Sequence, residues 1–99
     1  MQVDRHRAAV EALRVDLLSA PGATTREERA RVLAGESPTE MRDFLEKVRH
    51  SSYRITAEDV DALRRAGVSE DVIFELTVAA AVGAALERLE AAKRAIAPV

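Results

Sequence analysis

The chain has 99 residues, a net charge of −2 and no cysteine. Compact domains run to roughly 100–150 residues, so one domain fits here and a catalytic domain paired with a cofactor domain does not. The missing cysteines exclude disulfides, thiolate nucleophiles and thiolate-held metals, and the balanced charge removes general attraction to nucleic acid or anionic lipid.

Glycine and proline divide the sequence into pieces with a helical apolar period, which predicts an all-α protein of about five helices. In the first piece, Val3, His6, Val10, Leu13 and Leu17 share a stripe that Pro21-Gly22 ends. Thr25 and Glu28 have capping-box spacing for a short helix that stops at Gly35, with Ala30 and Leu33 as a weak apolar face. Ser37-Pro38-Thr39-Glu40 predicts the next start, with Ser37 as N-cap, and Met41, Phe44, Leu45 and Val48 form its stripe. That helix fades at 50–52. Thr56 with Asp59 opens a fourth helix, carrying Val60 and Leu63, and Gly67 closes it.

Ser69 caps the last and longest helix, with Glu70 and Asp71 in its first turn and Lys93 and Arg94 in its last, each placed to complement the macrodipole. Between Leu76 and Leu86 no residue is charged, and a helix that is apolar all round is buried all round. Eleven residues are too few for a bilayer, which needs about 20, so protein is expected to cover this run. The 47% apolar content contains 19 Ala, leaving only 28 larger side chains, a thin core for one chain. A homo-oligomer is therefore expected, with its contact at Leu76, Ala79, Ala80, Gly83 and Ala84. Gly83 costs about 1 kcal/mol in a helix interior, which is offset if a second backbone approaches there. Residues 1–7 are charged and no apolar run follows them, so a cytoplasmic protein with no membrane partner is expected.

Residues 56–97, and most specifically Ala66-Gly67-Val68-Ser69-Glu70-Asp71-Val72-Ile73-Phe74-Glu75-Leu76 with the Ala-rich run behind it, resemble the C-terminal half of the AhpD-like family. That family includes carboxymuconolactone decarboxylases and alkylhydroperoxidase D proteins. The resemblance implies a short helix ending in Ala-Gly, a Ser or Asp cap, and a long Ala-rich helix in the core and at subunit contacts. Residues 1–52 show little of it and are read as variable helices of the same single domain. The peroxidase branch carries CxxC with a His four residues after the second Cys, upstream of the Ala-Gly turn. The corresponding positions, 52–57 for the cysteines and 59–61 for the His, hold neither residue type. Asp43, Glu46 and His50 reproduce the spacing but lie too far from Gly67, and the match is read as coincidence. Without a nucleophilic or a resolving thiol, no thiol–disulfide cycle can run.

Four residues remain as weak catalytic candidates. Glu46 lies four residues before His50 on one helical face, where a carboxylate can orient an imidazole; the plainer reading is an exposed pair at a helix end. Asp59 and Asp61 are the other carboxylates near the turn. Glu46 and His50 supply at most two metal ligands with no third in a known spacing, so no metal or cofactor is expected. Arg26, Arg29 and Arg31, like Arg5 and Arg7, are interleaved with acids and read as solvated faces; with three aromatics in the chain, no nucleic-acid platform is expected. The leading expectation is an AhpD-like, non-peroxidase, oligomeric structural or binding protein. The alternatives are a Cys-independent decarboxylase-like lyase or isomerase acting on a small organic acid, and an accessory subunit packed on a larger family member.

Overall fold

Covering one face of the long C-terminal helix organises the chain. The computed structural model describes residues 3–97 and contains five helices: α1 (Val3–Ser19), α2 (Arg26–Leu33), α3 (Arg42–His50), α4 (Ala57–Arg65) and α5 (Glu70–Ile96). No strand occurs among the described residues, so the protein is all-α, with the expected number of helices and the expected long last one. Short 3₁₀ turns at Thr39–Met41 and Ser52–Arg54 lead into and out of α3.

Local chemistry sets most helix ends. Thr25 and Glu28 cap α2 reciprocally, Thr56 and Asp59 do the same for α4, and the Ser69 hydroxyl accepts from the Val72 amide at the start of α5. Gly35 and Gly67 end α2 and α4 with φ of +104° and +93°, values that favour glycine. Ser37 departs from the expected pattern. It caps nothing; Pro38 precedes the 3₁₀ turn, α3 starts at Arg42, and the Ser37 hydroxyl accepts from Arg49 instead.

The core forms where α2 and α3 meet α5. Met41, Phe44, Leu45 and Val48, the predicted stripe, are all buried, and they join Val32, Leu63, Ile73, Leu76, Ala79 and Ala80 in one cluster. Four of the residues expected at a subunit contact, Leu76, Ala79, Ala80 and Ala84, are thus already buried within their own chain. The fifth, Gly83, has a close backbone neighbour, but that neighbour is α2. A Cβ on Gly83 would collide with the carbonyl oxygen of Leu33. None of the five needs a second subunit to cover it, because α2 and α3 supply the surface that sequence periodicity could not assign.

The other side of α5 is open. Phe74 is 70% exposed, and Ala81 and Ala85 are exposed behind it. The α1 stripe is also looser than its spacing predicts: Leu17 packs against the core, Val10 is half-buried and Leu13 is exposed, while the His6 side chain lies outside the described residues.

Two arginines are buried, and each secures helix-end carbonyls. Arg29 was expected on a solvated face, yet it is only 5% exposed. Its guanidinium donates to the carbonyls of Leu17, Leu18 and Ala20 at the end of α1, and to the carbonyl and hydroxyl of Thr24. Burial is tolerated because these oxygens, left without intrahelical donors, saturate the charge. Arg49 repeats the device at the end of α2, donating to Val32 and Glu36 carbonyls and to Ser37. Arg88 of α5 in turn donates to the Arg49 carbonyl. Among the described residues, no buried side-chain nitrogen or oxygen lacks a partner. The molecule is elongated, 50 × 29 × 19 Å, with a radius of gyration of 15.0 Å. A compact domain of this length would have about 13 Å.

The Gly83 contact gives a test. Alanine favours a helix over glycine by about 1 kcal/mol, but the Leu33 backbone leaves no room for the added methyl. Gly83→Ala should therefore lower the urea-unfolding free energy, by about 1–3 kcal/mol as overpacked sites do. An unchanged or higher value would mean that α2 and α5 do not approach this closely.

Candidate functional site

The four sequence candidates sit on α3 and α4, and the fold does not bring them to one point. Glu46 and His50 project from the last turns of α3, with Nε2 3.4 Å from Oε2 and the two side chains 56% and 67% exposed. The Glu46 carboxylate is also 3.9 Å from Arg49. Solvent on this scale screens the pair, and a base held this loosely has no wall against which a substrate could be oriented.

Asp59 has structural work. One of its oxygens accepts from the Thr56 amide at the start of α4, and both accept from the Lys47 ammonium at 3.0 and 3.1 Å. The Thr56 amide bond, with the Lys47 hydrogen bond next, holds its carboxyl below the usual carboxylate range. This pair pins α4 to α3. Asp61 is bonded to Arg64 at 2.8 Å, and Arg64 also reaches Glu70, forming an exposed acid–base–acid chain between α4 and the first turn of α5.

Two hollows lie beside these groups. A cleft of about 160 Å³ between α3 and α4 contains Asp43, Lys47 and Asp59, its one ammonium already held by both Asp59 oxygens. A shallower groove of about 400 Å³ is walled by Phe44, Ile55, Val60, Ile73 and Phe74, with Arg64 and Glu70 at its edge. Glu46 and His50 line neither hollow. Among the described residues, no three His, Cys, Asp or Glu side chains are grouped to hold a metal ion.

A densely hydrogen-bonded polar centre lies where sequence reasoning points to none. Glu75 lies in the second turn of α5, turned toward the α1–α2 loop, and its carboxylate accepts from the Ala23 amide at 2.8 Å, the Thr24 amide at 2.9 Å and the Thr24 hydroxyl at 2.6 Å. Arg29 is 3.7 Å away. Gly22 makes the approach possible, since a Cβ there would stand 2.6 Å from a Glu75 oxygen. The Thr24 hydroxyl bond, then the two amides, and more weakly Arg29, hold the Glu75 carboxyl below its ordinary value against the effect of burial. Every atom of this centre is spoken for by the fold. A signal existed in the sequence: Glu75 is the one charge between Val72 and Leu86.

No helix among the described residues is long and apolar enough to cross a membrane. Comparison of the chain with family models, with curated proteins and with solved structures finds no match in any of the three.

Two expectations follow. His50→Ala should change stability by less than about 1 kcal/mol, as exposed pairs do, with circular dichroism unchanged. Glu75 should instead give the protein an acid limit. Its folded pKa is depressed, so its contribution is complete above the unfolded carboxylate value of about 4.3 and is lost as pH falls through the lower folded value. Urea midpoints measured downward from pH 6 should fall steeply below that point, and Glu75→Gln should flatten that part of the curve.

Proposed function

We propose that this chain is an AhpD-like, non-peroxidase helical protein that acts by self-association and binding, without turning over a substrate. The observation that carries this reading is how the acid–base groups are used. Glu46 and His50 are solvated, Asp59 is committed to a cap and to Lys47, and Asp61 to Arg64, so none of these four groups is a free base facing an enclosed space. An exposed apolar surface with recognition value lies at Phe74 and the groove beside it.

The family reading draws support from residues 56–97. A short helix ending in Ala-Gly, a Ser-capped turn and a long Ala-rich helix occur there in the order that the resemblance implies. The thiol chemistry of the peroxidase branch has no atom to run on, since the chain holds no sulfur except in two Met. A decarboxylase-like reaction on a small organic acid would need a free cation beside a cavity to hold the substrate's carboxylate, and in the α3–α4 cleft the one ammonium is already held by Asp59, beside the further carboxylates of Glu40 and Asp43.

The test has two arms. Purified protein should reduce no peroxide with lipoyl or dithiol donors above background, and multi-angle light scattering at high concentration should give a mass that is a multiple of 10.8 kDa. Turnover that survives removal of contaminating thiol proteins, or a mass of one chain at every concentration, would reject the proposal.

A further inference from the structure

The outward face of α5 carries a second apolar seam. Asp71, Phe74, Val78, Ala81, Ala85 and Arg88 follow one another at intervals of three, four, three, four and three residues, the spacing of an a/d seam. All are exposed except Val78, which is half-buried. The buried face of the same helix, with Ile73, Leu76, Ala80 and Ala84, points the other way. Between Phe74 and Leu86 the helix has one charge, Glu75, and that is turned toward the α1–α2 loop. Solvent thus faces an uncharged strip bounded by an acid at one end and a base at the other.

We infer that this seam binds a second copy of the chain, with the two α5 helices antiparallel about a two-fold axis level with Ala79 and Ala80. This rests on the self-associating reading above and specifies its contact. The argument is self-complementarity under reversal. With the axis at that level, Asp71 meets Arg88 of the partner subunit, Phe74 meets Ala85 of the partner subunit, and Val78 meets Ala81 of the partner subunit. Each layer pairs acid with base or large with small, and the two-fold repeats each layer. Parallel pairing would set Asp71 against Asp71 and Arg88 against Arg88, and would place the large residues together and the small ones together, leaving gaps at the Ala layers. Arg88 can serve both partners, because its bond to the Arg49 carbonyl uses one nitrogen of a guanidinium with five N–H donors.

The seam spans about 25 Å at 1.5 Å per residue. One helix pair of that length buries less than the roughly 1,200–2,000 Å² of a standard stable interface, so the dimer dissociates on dilution, with affinity in the micromolar range or weaker.

Sedimentation equilibrium from micromolar to millimolar protein tests the contact. Asp71→Arg and Arg88→Asp should each weaken dimerisation about tenfold or more, and the double variant should restore it, because the swapped charges again face each other. The absence of native cysteine allows a direct reading of orientation. In an antiparallel pair, Phe74 and its own copy are about 16 Å apart along the axis, whereas Phe74 and Ala85 of the partner subunit share a layer. An oxidised mixture of Phe74→Cys and Ala85→Cys proteins should therefore give a mixed disulfide dimer, and neither variant alone should give one. Cross-linking of Phe74→Cys with itself, or self-association indifferent to the single charge reversals, would overturn this contact while leaving the self-associating reading intact. A wild-type protein monomeric at every concentration would overturn both.

Discussion

The Arg29 guanidinium is the fixed point from which the N-terminal half of the molecule is arranged. A charge with 5% of its residue exposed has to be surrounded by oxygens, and Arg29 collects them from the end of α1, from Thr24 and, less closely, from Glu75. The direction in which α1 leaves the bundle is set by that requirement more than by its own apolar stripe, since Leu17 alone among the described side chains of the stripe packs against the core cluster. Glu75 closes the arrangement from α5 by holding the Ala23 and Thr24 amides. One buried cation and one half-buried carboxylate thus tie α1 and the loop to α2 and α5, where α1 itself supplies little apolar contact.

Arg49 does for the α2–α3 connection what Arg29 does for α1–α2. Both lie in short helices, and both donate to carbonyls at or just beyond a helix end. In a chain with 28 larger apolar residues, polar closure of this kind supplies the definition that a bigger core would otherwise give. The arrangement carries a corresponding vulnerability: removing one partner strands the others in a region water does not reach.

Helix positions were legible in the sequence because caps and glycine stops are local, and the Met41, Phe44, Leu45, Val48 stripe identified the buried face of α3 correctly for the same reason. What could not be read was which surface covers which. The apolar character of α5 on all sides was visible, but periodicity does not say that α2 reaches Gly83 or that the covered side is the one with Leu76, Ala79 and Ala80. Arg29 looked like any arginine among glutamates, because its partners are backbone oxygens, which have no identity in a sequence. Ser37 was misread as a cap because Arg49, twelve residues away, competes for the same hydroxyl. Of the candidate site, the Glu46–His50 spacing did produce a contact, and the solvent around it, which no spacing reports, decides what the contact is worth.

The 50 × 29 × 19 Å outline has a practical consequence for how this protein behaves in flow. A body more than twice as long as it is thick experiences extra drag, so it travels through a porous matrix like a larger sphere and sediments more slowly than its mass alone dictates. A single chain would then elute ahead of globular standards of equal mass, mimicking an assembled one. Column position therefore confounds shape with stoichiometry for this molecule, whereas methods that weigh the particle, by scattered intensity or by equilibrium in a centrifugal field, are indifferent to its friction.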